Sequence, residues 1–250
     1  MRLDKFLFEN GICESRNKAS LLIARGDVKV NGKTAVKNSL DVNDNDKIEI
    51  CEKLRFVSEG GYKLFKAISD FKFDVSGLIC ADIGASTGGF TDVLLKNGAK
   101  KVYAVDLNDT QLHKSLKDDE RVFPLIKNAK DLKKTDFDDK LDLVTADLSF
   151  ISEKTVLPVL KNIVKDNGHL IVLIKPQFET GEKRRYKNGI IRDGKIIKTA
   201  VKGVIDTANE IGLNLIDFTS APENEEKNRE YLALFLNGKG FSFDIDGYYF

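Results

Sequence analysis

The sequence predicts an α/β protein in two parts: a small N-terminal unit of two short helices and a hairpin, then an open, mostly parallel sheet covered on both faces by helices. Three observations carry that expectation. Apolar residues in the first fifty positions recur at helical spacing and then meet an Asn31-Gly32 turn. From Leu78 onward short apolar runs alternate with amphipathic stretches, and the first of these runs ends in a glycine-rich loop, "CADIGASTGGFTD" (Cys80 to Asp92).

In the first unit, Leu3, Phe6 and Leu7 mark one helix and Ala19, Leu22 and Ile23 a second, with Ser15 placed to cap it. Gly26 reads as a stop. "DVKVNGKTAV" (Asp27 to Val36) then gives strand, Asn-Gly turn and return, and "DKIEI" closes the unit at Ile50. The division is expected at 1–57 and 58–250. The Gly60-Gly61 pair is expected to break the chain before an amphipathic helix that buries Leu64, Phe65, Ala67, Ile68 and Phe71. In the larger part, strands are expected at "LICADIG", "KVYAVDL", "VFPLI", "LDLVTADLS", "HLIVLIK", "LNLIDFTS" and "EYLALFL". Helices are expected up to about Asn97, over Asp109 to Lys117, over "EKTVLPVLKNIV" and over Ile196 to Ile211.

Lys and Arg total 40 against 39 for Asp and Glu, so attraction to a polyanion must come from local clusters. Between Met1 and Ser39 eight bases face four acids, and between Lys183 and Lys202 eight bases face one. The three cysteines lack any paired spacing, which argues against a disulfide framework and a zinc site and for a reduced, cytoplasmic protein. No apolar run approaches the length of a membrane span. No membrane association or metal is expected.

In a doubly wound sheet the loop after the first strand faces the ligand crevice. A phosphate-binding P-loop needs a lysine after its glycines, and none follows Gly88-Gly89. A dinucleotide fingerprint needs a glycine where Ser86 stands, which weakens that reading. S-adenosylmethionine asks for close backbone approach and acids near the strand ends. Asp82 would meet its ammonium directly or through water, while Gly84, Ser86 and Gly88 let the main chain pass beneath. The same loop adds Thr87, Gly89 and Phe90. Asp106, with Leu107 beside it, suits ribose hydroxyls in either a dinucleotide or a methyl donor, and Asn128 or Asp131 suits an adenine edge.

Asp147 and Lys175 end the fourth and fifth strands and are expected in the same crevice, the lysine partly desolvated behind five apolar residues and fixed by Pro176. Together "DIGASTGGFTD", "ADLSF", "IKPQFE", "GGYKL" and "REYLALF", with the N-terminal "SR…A…LI..G.V.VNG" pattern of an S4 module, resemble the TlyA family over essentially the whole chain. That family joins an S4 RNA-binding domain to an FtsJ-like, Rossmann-like methyltransferase sheet and often carries the name hemolysin.

The resemblance implies a ribosomal-RNA ribose 2′-O-methyltransferase using S-adenosylmethionine, with a cytidine as target and 23S rRNA rather than 16S alone. The near absence of residues before the first S4 helix resembles the shorter type, associated with large-subunit RNA. The family's Lys-Asp-Lys-Glu catalytic tetrad falls on Lys63, Asp147, Lys175 and Glu230. Contacts to RNA fall on Arg2, Arg16, Lys18, Arg25 and Lys33 in the S4 unit and on Arg184, Arg185 and Arg192 after the catalytic strand. The chain departs from the family at Glu59, where an arginine is common. Competing readings are a membrane-lytic hemolysin, a noncatalytic RNA-binding assembly factor and a dinucleotide oxidoreductase. The missing membrane segment, the complete tetrad and Ser86 weigh against them in turn.

Overall fold

The computed structural model describes residues 1–51, 55–180, 189–224, 227–240, 243–248 and 250. They form two compact units, Met1–Glu59 and Gly60–Phe250.

In the first unit, α1 (Leu3–Glu9) and α2 (Arg16–Ala24) precede β1 (Val28–Val30), β2 (Lys33–Thr34) and β3 (Ile48–Ile50). The Ser15 hydroxyl accepts from the Lys18 amide at 3.2 Å and starts α2. Val30 pairs with Lys33 across a two-residue turn in which Asn31 and Gly32 have φ of 52° and 76°. Both values belong to the mirror-image turn whose twist matches a hairpin. The closing strand pairs with β1, giving the order β2-β1-β3. Leu3, Leu7, Ala19, Leu22, Ile23 and Val28 bury their side chains in a separate small core.

The second unit opens with α3 (Glu59–Phe71), then β4 (Ile79–Ile83), α4 (Gly89–Lys96), β5 (Lys101–Asp106), α5 (Lys114–Lys117) and β6 (Val122–Ile126). There follow β7 (Leu141–Ala146), α6 (Glu153–Ile163), β8 (Val164–Ile174), α7 (Pro176–Glu179), α8 (Gly194–Glu210), β9 (Asn214–Ser220) and β10 (Tyr231–Leu236). The sheet order is β6-β5-β4-β7-β8-β10-β9. Strands β4 to β8 run parallel, while β10 is antiparallel to both β8 and β9. The order reverses beside β4, where crossovers leave in opposite directions and open a crevice at the carboxyl ends. Val144, Leu170, Val172, Tyr231 and Phe235 are among the buried strand residues that pack against Leu157, Val201 and Val204 of α6 and α8.

Two expectations need correction. Gly60 and Gly61 do not break the chain before α3; they lie in its first turn, and Leu64, Ala67 and Ile68 are buried while Phe65 and Phe71 are only partly so. Packing of a strongly one-sided helix overrides glycine's poor helix preference. The helix expected over Asp109 to Lys117 is confined to Lys114–Lys117. Just upstream, the Asn108 side-chain Oδ1 accepts from the Thr110 hydroxyl at 2.7 Å and from its amide at 3.3 Å, a local turn that competes with helix.

Candidate active site

The loop between β4 and α4 is shaped by its backbone. Gly84 has φ 84°, and a Cβ there would stand 2.6 Å from the Asp147 carbonyl oxygen, so only glycine lets the ends of β4 and β7 approach this closely. Ser86 also holds a left-handed φ of 49°, and its amide is bound at 2.7 Å by Asp106 Oδ2. Asp106 Oδ1 accepts from the Leu107 amide at 2.6 Å. The carboxylate thus ties the end of β5 to the loop of β4 while keeping a place on the wall of a cleft of about 500 Å³.

Gly84, Ser86, Asp106, Leu107, Asn128 and Asp147 all line that cleft. Thr87 is exposed in the loop, whereas Gly88, Gly89 and Phe90 are buried where α4 begins. Asn128 caps a short 3-10 turn by accepting from the Lys130 amide at 3.0 Å, and Asp131 is exposed on that turn. Asn128 is therefore the member of that pair with a surface on the cleft.

Asp82 does not reach this space. It is fully buried, with Oδ2 accepting from the Thr91 amide at 2.9 Å and hydroxyl at 2.7 Å, and Oδ1 from the Thr145 hydroxyl at 3.2 Å. Burial pushes its carboxyl up to about 7, against the opposing pull of the threonine hydrogen bonds. The expected direct contact with a ligand ammonium is corrected: in this position Asp82 fastens the first turn of α4 to β4 and β7.

Lys63 from α3 and the charges beside the ends of β7, β8 and β10 form two ion pairs. Lys175 Nζ stands 2.6 Å from Asp147 Oδ1 and donates to the Ser149 hydroxyl at 2.8 Å. Lys63 Nζ stands 2.6 Å from Glu230 Oε2. The fold explains the convergence. Tyr231 pairs with Ile174, so Glu230 and Lys175 are the next residues out on neighbouring antiparallel strands. Asp147 leaves β7 beside β8 with its amide held by the Ile83 carbonyl at 3.0 Å. Lys175 is only 7% exposed, and Pro176 opens α7 right after it. A nearly desolvated ammonium paired to one carboxylate is held in a defined geometry.

Sequence reasoning gave no role to three further residues at the site, although Phe150 and Glu179 stand in the "ADLSF" and "IKPQFE" segments. Glu153, at the start of α6, is 2% exposed, and no side chain among the described residues hydrogen-bonds its carboxyl oxygens. Burial raises it well above the usual carboxylate range, with nearby Glu179 adding to the rise and Lys175 opposing it. Glu179 is buried too; it accepts from the Ser152 hydroxyl at 2.5 Å and the Glu153 amide at 2.6 Å, and burial raises its carboxyl as well. These motifs read as ordinary helix starts because burial across α6 and α7 is a tertiary fact. Phe150 is 92% exposed at φ 65°, lines the cleft next to Ser149, and has its ring 5.4 Å from that of Phe178. A bare aromatic ring in a left-handed backbone conformation is costly, and such residues cluster where ligands bind.

The expected RNA contacts divide three ways. Arg2 and Arg16 both bind the buried Asp4, at 2.9 and 2.6 Å; hydrogen bonding by Arg2 leads in bringing its carboxyl down to about 2. Each is also about half exposed, so structural pairing and an outward face coexist. Lys18 pairs with Glu14 and Arg25 with Asp27, while Lys33 is exposed on β2. Arg192 lines a second cavity, at the start of α8. Arg184 and Arg185 lie outside the described residues.

Comparison with known proteins agrees with this architecture. The model of the FtsJ-like methyltransferase family matches residues 56–237, and that of the S4 domain matches residues 1–48. Hemolysin A of Brachyspira hyodysenteriae is 41% identical over 243 residues, covering 94% of this chain and 100% of that one. The 16S/23S rRNA (cytidine-2′-O)-methyltransferase TlyA of Mycobacterium tuberculosis is 38% identical over 224 residues, covering 88% and 84%. A solved hemolysin structure from Streptococcus thermophilus superposes with a TM-score of 0.75 at 35% identity, covering 98% of this chain and 91% of that one. The chain belongs to the TlyA family, an S4 domain joined to an FtsJ-like methyltransferase that uses S-adenosylmethionine.

Proposed function

We propose that this protein methylates a ribose 2′-hydroxyl of ribosomal RNA, with a cytidine as target and 23S rRNA among its substrates rather than 16S alone. The observation that carries the reading is the pairing of Lys175 with Asp147 at adjoining strand ends and of Lys63, on α3, with Glu230 just before β10, beside a cleft walled by Gly84 and Asp106. The Mycobacterium tuberculosis relative is named for 2′-O-methylation of cytidine in both ribosomal RNAs, which supports the choice of base and of RNA.

The cleft fits S-adenosylmethionine. Gly84 supplies room where a side chain would collide with Asp147, Asp106 offers an acceptor for ribose hydroxyls, and Asn128 offers an amide for the adenine edge. The bound sulfonium supplies a methyl carbon already activated for displacement, so the protein's tasks are alignment and removal of one proton. Lys175 does the positioning. Its Nζ, fixed by Asp147 and Ser149, is the polar group best placed to meet the attacking oxygen, either taking the hydroxyl proton as a neutral amine or, as an ammonium, stabilising the oxygen's developing charge while solvent takes the proton. Asp147 keeps that nitrogen in place, and Glu230 with Lys63 gives a second pair to orient the nucleotide. Such a cluster titrates as a unit.

The test is single-turnover transfer of a tritiated methyl group to 16S and 23S rRNA, followed by mapping of 2′-O-methyl positions. Label confined to base atoms, or to protein, would sink the proposal. The lytic reading raised by the Brachyspira relative's name has little to rest on: no helix among the described residues is long and apolar enough to cross a membrane.

A further inference from the structure

A second cavity in the same unit, of about 660 Å³, lies around the first turn of α8. Its wall carries five cationic side chains, Arg192, Lys195, Lys198, Lys227 and Arg229, and one acid, Asp193. The carboxylate of Asp193 is engaged with α8, where it accepts from the Lys195 amide at 2.9 Å and the Ile196 amide at 3.4 Å. Among the described residues, Asp246 and Glu223 outside the wall moderate the charge. Asp246 lies 3.5 Å from Lys198 and 3.2 Å from Lys202, and Glu223 lies 3.7 Å from Arg229. A solvated charged face spreads its cations over one convex surface. Here they come from separate stretches of chain and surround a concavity, which focuses a positive potential.

The cavity also has an apolar floor. Tyr248 and Phe250 line it, and their rings pack at 5.2 Å on each other and at 6.2 and 5.4 Å on Tyr231. The Tyr231 hydroxyl is buried, and Arg229 is its cationic neighbour. Arg229 and Tyr231 flank Glu230, the strand-end acid paired with Lys63. The cavity wall at Arg229 is thus followed directly in the chain by Glu230 and the first residue of β10.

We propose that this cavity is a phosphodiester-binding site that holds the single-stranded stretch of substrate RNA next to the nucleotide being methylated. The inference rests on the RNA methyltransferase reading and adds to it the path of the strand. Cations around aromatic rings suit a single strand, whose backbone needs charge and whose bases need apolar faces. A strand whose ribose sits at Lys175 has to leave the site along its phosphates, and this cavity receives them on the β10 side.

The test is fluorescence anisotropy with a labelled oligouridine of about twenty nucleotides, titrated across salt, with the full-length protein. Lys195→Ala/Lys198→Ala is expected to bind about tenfold more weakly and to flatten the slope of log affinity against log salt by about 1.4, at about 0.7 per lost contact to a single strand. KM for ribosomal RNA is expected to rise with kcat and S-adenosylmethionine affinity retained. Lys202→Ala, which removes a neighbour of Asp246 from outside the wall, is expected to leave both slope and affinity unchanged.

If the double variant melts early, the exposed Lys195→Ala alone is expected to show about half the change in slope, since slope counts contacts. An unaltered slope and affinity in Lys195→Ala, or an equal loss in Lys202→Ala, would overturn the site. Failure of the methyltransferase reading looks different: wild-type protein would then bind S-adenosylmethionine and label no RNA.

Discussion

The two halves of the sheet's carboxyl edge are built by different means. Beside β4 and β5, space for a ligand is made by backbone: Gly84 and Ser86 hold left-handed conformations and Asp106 grips amides. Beside β7, β8 and β10, the site is made by side chains, with two lysines and two acids paired at 2.6 Å. The first half should therefore be sensitive to the bulk of one methyl group, and the second to the removal of one charge.

The largest effect is expected from Lys175→Ala. Losing the positioned nitrogen should lower single-turnover methyl transfer about 100- to 10,000-fold while calorimetry finds S-adenosylmethionine binding nearly unchanged. Gly84→Ala should do the converse. A Cβ 2.6 Å from the Asp147 carbonyl, at φ 84°, should cost on the order of 2 kcal/mol of stability and abolish cofactor titration. If Gly84→Ala keeps full cofactor affinity, the distinction between the two halves fails.

Asp106→Ala comes next. It removes the acceptor assigned to the ribose hydroxyls and frees the Ser86 and Leu107 amides, so cofactor affinity should fall about 10- to 100-fold. A calorimetric titration indistinguishable from wild type would show that this carboxylate only holds the loop.

Asp82 separates fold from ligand contact. Burial raises its carboxyl from 3.8 to about 7, so the folded protein holds this proton more tightly than the unfolded chain. The stability it contributes is complete below the unfolded value and is lost as pH rises through about 7. Asp82→Asn should accordingly lose less stability than wild type between pH 5 and pH 8 in urea unfolding. Parallel curves for the two proteins would refute the assignment. Glu153→Gln should have the smallest effect: if the buried carboxyl is already protonated, the amide copies it, and transfer at neutral pH should stay within about twofold. A large loss would make Glu153 a participant in proton transfer.

Features set by neighbouring residues were legible in the sequence. The Asn31-Gly32 hairpin, the Ser15 cap and the strands of the larger unit all follow from local chemistry. Strand ends could be located too, and with them the convergence of Asp147 and Lys175, since a parallel sheet gathers its carboxyl ends at one edge, while Glu230 was reached only through the family resemblance. Whatever depends on packing was hidden. Asp82 reads as a strand-end acid open to a ligand, yet Thr91 and Thr145 close over it. Glu153 reads as a helix-start acid, yet Glu179 and Lys175 surround it. Gly60-Gly61 reads as a break, yet Gly61 is buried inside α3. Phe150's exposure at positive φ belongs to no motif of local spacing.

The central claim is that the paired strand-end charges carry ribose methylation of ribosomal RNA. It is tested most directly by mapping 2′-O-methyl marks on 16S and 23S rRNA from cells that have the gene, lack it, or carry Lys175→Ala. The expected result is a cytidine mark in 23S rRNA that vanishes without the gene, returns with the wild-type gene and stays absent with the variant. An identical pattern of marks in all three strains would contradict the account.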